Sequence, residues 1–390
     1  MHIHRGEIDV ERIAMSDNQR RAETVERDSD EIDLSHLDRM TDSTGLIQHA
    51  IYCVPRRESG YTTDDNARAL RLCTRLWRSH ASPQMLARVT TYLSFLEHAR
   101  CAVRGFHNFL SYQRDWLDAA GTGDCQGQAV LALAEVLGSN LPEGHRALAR
   151  ELIESVLPTL AELRSLRAEA YVILAWERLW SNGTTGMEPL EQLAAHAARR
   201  LRECYRRSVR PDWPWFESRM TYANAVLPQA LFAAANCWPA EPYLDVAETS
   251  FAFLDKVTTV DNMFWPVGNC DWYPHGEAKA LYDQQPVEAS TMADAALTAF
   301  DLTGDEKYLA PFHRAHHWFR GDNSLGLTLA DVEGGGCCDG LQPSQVNANQ
   351  GAESTFAWLW TELRSFELKR SRVESPNAAV SRKSSRLITD

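Results

Sequence analysis

No apolar run in this 390-residue chain is long enough to span a bilayer. No stretch alternates apolar and polar residues over several strand lengths either. The first lack excludes a membrane-spanning helix, and the second excludes a sandwich or barrel of strands. The N-terminal MHIHRGEIDVERIAMSDNQRRAET has no apolar core segment and does not read as a signal peptide. The expected location is the cytoplasm. Cysteine is sparse and unpatterned: nine residues, an odd number, with no CxxC spacing. That leaves neither a disulfide framework nor a thiolate metal site, although Cys337 and Cys338 are adjacent and Cys270 lies in another loop. Neither metal nor cofactor is expected. No strand–glycine loop–helix pattern for a nucleotide's phosphates is present. Positive charge is in deficit, with 40 Lys and Arg against 53 Asp and Glu, a formal net charge of −13. Such a chain repels nucleic-acid backbones and anionic membrane surfaces. A neutral or cationic small substrate fits better.

What is present is helical. Residues 1–33 are charged and read as a flexible segment, and 369–390 read as a basic, Ser-rich disordered tail. Between them, residues 34–368 repeat apolar positions at i, i+3, i+4 and i+7. Two kinds of segment alternate. Six begin polar or acidic and become rich in Ala and Leu, from Asp64, Gly123, Leu166, Thr221, Val287 and Gly351. Segments apolar nearly all round are buried helices. The others are amphipathic, from Gln84, Glu143, Glu188, Glu241 and Glu306, with a sixth in LSHLDRMTDSTGLIQHAIY. Six buried helices alternating with six exposed ones predict an all-α (α/α)6 toroid. An open α-solenoid competes, but the long connections before the buried segments argue against it.

In such a ring the inner helices start at one end, and polar clusters sit at those starts. GYTTDDNARAL carries Tyr61, Asp64, Asp65, Asn66 and Arg68. One cap explains one acid, not two acids with an Asn and an Arg. FHNFLSYQRDWLDAAGTGDCQGQ carries Asn108, Trp116 and Asp124, the last either an N-cap or a site residue. RPDWPWFESRMTYANA places Trp213 and Trp215 before Glu217, with Tyr222 following. Aromatic faces stack on sugar rings, and apolar surroundings raise a carboxyl's pKa as a general acid needs. DQQPVEAS carries Gln285 and Glu288, and DVEGGGCCDGLQPSQVNANQGAEST carries Asp339, Asn349 and Glu353. The third inner helix, LRAEAYVILAW, offers only Glu169, expected to be structural.

Taken together, RMTDSTGLIQHAIYCVPRRESGYTTDDNARAL, FHNFLSYQRDWL, WPWFESRMTYANAVLPQAL, DQQPVEAS and DGLQPSQVNANQGAEST resemble bacterial glycosyltransferase-associated domains of carbohydrate gene clusters, over roughly residues 34–366. The resemblance implies a six-hairpin glycosidase-like fold, a carbohydrate context and a functional partnership with a glycosyltransferase. It supplies no reaction. Thr122-Gly123 departs from the acidic residue and Ser expected before Asp124, which weakens a catalytic role there.

The leading expectation is a glycoside hydrolase acting on a neutral oligosaccharide. Glu217 would be the general acid and Asp65 the base or nucleophile, with Glu288 or Glu353 as substitutes. Tyr61, Asp64, Asn66, Arg68, Asn108, Trp116, Asp124, Trp213, Trp215, Tyr222, Gln285, Asp339, Asn349 and Glu353 would line the substrate site. Two alternatives stay open. One is a sugar epimerase of the N-acylglucosamine 2-epimerase type, which depends on inner-face histidines, whereas the histidines here (His49, His107, His275, His313, His316 and His317) mostly lie outside the inner segments. The other is a glycan-binding domain without catalysis.

Overall fold

The computed structural model describes residues 32–101 and 104–374, and everything below concerns the unit that begins at Asp33. Residues 1–31 and 375–390, where most of the two expected terminal segments fall, lie outside the described residues. Six inner helices are α2 (Thr63–Trp77), α4 (Gly123–Leu137), α6 (Leu166–Ser181), α8 (Val226–Cys237), α10 (Pro286–Thr303) and α12 (Ala352–Glu374). Six outer ones are α1 (Ser35–Met40), α3 (Pro83–Ala99), α5 (Glu143–Ala161), α7 (Glu188–Ser208), α9 (Leu244–Val257) and α11 (Leu309–Trp318). Each inner helix packs on the next, and α12 packs on α2, which closes the ring. This is the (α/α)6 toroid, and the closing contact excludes the open solenoid.

The packing explains the residue pattern. In α4 every residue from Cys125 to Leu137 is buried, because the helix touches neighbours on both sides and an outer helix behind. Small residues allow the close approach. A Cβ at Gly127 would lie 2.9 Å from the Ala168 carbonyl and 3.0 Å from the Tyr171 ring. Only a residue without one lets α4 and α6 meet at that point. Strand is confined to antiparallel pairs of two-residue segments in the connections.

Three boundaries differ from the sequence reading. The first outer helix is only Ser35–Met40, because polar groups break the chain after it. Asp42 accepts from the Thr44 and Gly45 amides, and Asn66 Oδ1 accepts from the Leu46 amide at 2.8 Å. Helix α8 starts at Val226 rather than Thr221, since Ala223 takes a left-handed φ of 44°. The last helix runs through Glu374, past the expected end at 368. Arg372 pairs with Glu306 there at 3.2 Å.

Candidate active site

The first turns of the inner helices meet at one end of the ring. On the α2/α12 side, three carboxyls surround one guanidinium. Arg68 lies 2.9 Å from Asp65, 3.5 Å from Asp64 and 2.9 Å from Glu353. The α2 N-cap is Thr62, whose Oγ1 accepts from the Asp65 amide and donates to the Asp65 carboxylate. Burial, and then the Asp64 charge, push Asp65 up to about 7 despite Arg68. Asp65 is buried, and Asp64 is the more exposed of the two. Glu353, 41% exposed, is the member open to the mouth.

In ring order, α6 and α8 lie opposite α12 and α2, and a second cluster sits there. Arg167 Nη1 donates to Glu217 at 3.0 Å, and Arg167 also donates to the Tyr222 carbonyl. Its guanidinium stands 4.6 Å from the Tyr222 ring centroid. The Tyr222 hydroxyl donates to Asp124 Oδ2 at 2.6 Å, and Ser165 donates to the other Asp124 oxygen at 3.0 Å. Asp124 is therefore joined to the mouth instead of capping its own helix. Glu217 is 31% exposed and ion-paired to a buried arginine.

Glu288, at the start of α10, is tied to the loop before α8. Its oxygens accept from the Ala223 amide, the Asn224 amide at 3.4 Å and Asn224 Nδ2 at 3.0 Å. Burial pushes it up to about 7 against those donors. It clamps the left-handed turn that presents Tyr222.

Several expected sugar contacts are committed elsewhere. Trp213 is buried among Phe253 and Tyr273, with its Nε1 donating to the Glu217 carbonyl at 2.8 Å. Trp215 is fully buried against Phe216. Both indoles anchor the loop and cannot stack on a ligand. Tyr61 is buried and donates to Asp42 at 2.7 Å. Asn66 holds the Leu46 amide and the Thr62 carbonyl; a Cβ on Gly45 would lie 2.5 Å from its Oδ1. Asn108 accepts from the Thr63 and Asp64 amides, capping α2 from another loop. Asp339 accepts from the Gly351 amide at 2.7 Å, and Asn349 accepts from the Tyr52 amide at 2.9 Å. Trp116 stacks on His107 at 4.9 Å. Gln285 is the half-buried N-cap residue of α10, with no side-chain capping bond.

Two residues missed in the sequence belong at the centre, both from the third inner helix. They are Arg167 and Tyr171. Tyr171 lines the cleft and feels the charges of Asp124, Arg68, Arg167 and Glu353. The available signal was Arg167 in the first turn of α6, where the helix dipole disfavours a cation unless carboxylates compensate. Glu169 is structural as expected, paired with Arg200. A wider open hollow at the far end, lined by Ser139, Glu143, Arg150 and Asn182, lies by the last turns of α4 and α6, away from these carboxyls.

No family model and no curated protein matches the chain. Solved structures do. The cellobiose 2-epimerase of Spirochaeta thermophila superposes with a TM-score of 0.64 at 14% identity, covering 91% of this chain and 98% of that one. The GH76 α-mannanase BT2949 of Bacteroides thetaiotaomicron gives 0.62 at 10% identity, covering 86% and 94%. The cellulase Cel9M of C. cellulolyticum gives 0.57 at 11%, covering 85% and 89%. At these identities the likeness establishes the (α/α)6 fold, a fold that carries both sugar epimerases and glycoside hydrolases.

Proposed function

We propose that this protein hydrolyses a glycosidic bond in an uncharged oligosaccharide. One observation carries the reading: two carboxyl–arginine clusters stand on opposite sides of the ring mouth, and one of them holds the proton-retaining Asp65. Around Arg68, three carboxyls share one positive charge, and Asp65 keeps its proton to about 7. Across the mouth, Glu217 lies against Arg167. Glycoside cleavage requires a group that gives a proton on one side of the bond and a second carboxyl group on the other.

In this reading the acid comes from the Asp64–Asp65–Glu353 cluster. Glu353 faces the leaving oxygen and Asp65 restores the proton. Glu217 stabilises positive charge at the anomeric carbon or activates water. Tyr222, 40% exposed and fixed by Arg167 and Asp124, is the aromatic face for a sugar ring. Both arginines at the mouth are paired with carboxylates, which disfavours a phosphorylated or uronic substrate. The same pairing leaves neither Arg68 nor Arg167 free to hold phosphate for phosphorolysis. The epimerase reading calls for imidazole bases, and none of the six inner helices carries a histidine.

The test is incubation of the full chain with α- and β-linked uncharged oligosaccharides, followed by NMR of the anomeric protons. Cleavage is expected, with Glu217→Gln and Glu353→Gln each lowering it at least ~100-fold without lowering the melting temperature. Full activity in both variants would sink the assignment. Inversion at C2 with the linkage intact would replace hydrolysis by epimerisation. Binding without turnover would leave a glycan-binding domain, consistent with partnership with a glycosyltransferase.

A further inference from the structure

One turn below the mouth, the inner helices present a second layer of side chains. Residues four apart on a helix lie one above the other. Beneath Asp124 on α4 is Gln128; beneath Arg167 on α6 is Tyr171; beneath Pro286 on α10 is Ser290. All three line the axial cleft. They are only 7%, 5% and 4% exposed. The side-chain polar groups of all three lack a hydrogen-bond partner among the described residues, although none is sealed completely from solvent. The other polar side chains lining the cleft are committed: Gln229 donates to Thr298, Thr291 donates to the Val287 carbonyl, Arg71 pairs with Asp294 and Arg68 pairs with Glu353.

Buried amides and hydroxyls nearly always find partners. Three uncommitted ones on three helices, facing one cleft, point to a partner that arrives from outside. Together they offer an amide and two hydroxyls that donate or accept, and no charge. Phe356 and Trp360 of α12 line the same cleft and supply apolar surface. The chemistry complementary to this set is a compact ring bearing several hydroxyls beside apolar C–H faces.

We infer that Gln128, Tyr171 and Ser290 form the layer that reads the hydroxyls of the sugar ring held beneath the carboxyl clusters. The inference rests on the carbohydrate reading and adds which residues select the sugar. Gly127 is part of it, since its missing Cβ lets the Tyr171 ring seat against α4. A sugar lacking a hydroxyl that these groups hold leaves one of them buried and unpaired, so discrimination falls on hydroxyl pattern and not on size.

The test needs no knowledge of the linkage. Saturation-transfer NMR on the full chain would use free glucose, mannose, galactose and N-acetylglucosamine, with glycerol as a polyol control. At least one of the four sugars is expected to bind while glycerol does not. Tyr171→Phe and Ser290→Ala, each removing one oxygen, are each expected to weaken that sugar roughly 3- to 10-fold. Gln128→Leu is expected to do the same, with Gln128→Glu as the second variant should Leu disturb packing. No binding of any of the four, or wild-type binding by variants that melt at the wild-type temperature, overturns the inference. The two readings fail separately. Oligosaccharide cleavage with unchanged KM in the three variants refutes this layer and leaves hydrolysis standing. Sugar binding that the variants weaken, with no cleavage of any oligosaccharide, does the reverse.

Discussion

The two ends of the barrel axis both bury charge, and they do so to opposite effect. Toward the C-terminal ends of the inner helices, charges neutralise one another. Asp294 sits between Arg71 at 3.0 Å and Arg364 at 3.1 Å. Glu367 is held by Arg75 at 2.6 Å and by Arg364. Glu135, fully buried, has Arg75, Arg78 and Arg178 within 3.5–3.8 Å. Burial alone would raise these carboxyls, yet the guanidiniums win. Glu135 and Asp294 fall below the usual carboxylate range, and Glu367 falls to about 2. At the mouth, burial wins instead: Asp65 and Glu288 rise to about 7. Arginine count separates the two ends. The carboxyls of the lower network, each matched by guanidiniums, fall below their usual range, whereas Asp65 and Glu288, where burial outweighs the nearby guanidinium, retain protons.

Breaking the matched end gives the largest expected effect. Glu135→Ala leaves three guanidiniums facing one another in the core and is expected to cost roughly 3–5 kcal/mol in urea unfolding. A loss under ~1 kcal/mol would mean that the lower network does not hold the barrel together.

The pH dependence of stability separates the two ends by sign. Asp65 and Glu288 ordinarily titrate at 3.8 and 4.5 but here retain protons to about 7. Between those values the folded chain binds protons that the unfolded chain has released. Stability from these groups therefore falls as pH rises from about 4 to about 7. Glu367, held down to about 2, contributes stability that is lost as pH falls from 4.5 toward 2. Melting curves across pH are expected to show both limbs. Asp65→Asn and Glu288→Gln should flatten the upper limb and leave the acid limb alone. An upper limb unchanged in both variants would put the proton-holding group elsewhere.

A smaller effect sharpens the mouth itself. Gly127→Ala places a Cβ against the Ala168 carbonyl and the Tyr171 ring, and is expected to cost about 1–3 kcal/mol by overpacking. It should also weaken sugar binding by moving Tyr171. Unchanged stability and binding would show that α4 and α6 have slack at that contact.

Some of the site was readable because helix starts are local. Asp64, Asp65, Arg68, Asp124, Glu217, Tyr222 and Glu353 all reach the mouth, each at or just before an inner helix. Roles were less readable. WPWFE puts aromatics beside an acid, and that pattern is the same whether the indoles stack on a ligand or anchor a loop. Burial against Phe253, Tyr273 and Phe216 decides for the anchor. Asn108 and Asn349 look like hydroxyl readers in sequence, but they hold amides 45 and 297 residues away.

The sequence by itself determined the architecture. Twelve helices of two alternating kinds follow from local periodicity, and only a closed ring buries six helices that are apolar nearly all round. It also determined that acids gather at inner-helix starts. Which carboxyl keeps a proton was decided only in three dimensions. That depends on how many guanidiniums from other helices reach it and on how deeply the ring closure buries it. Arg167 and Tyr171 join the site for the same reason: their partners lie on other helices, and the ring closure brings those partners to the same mouth.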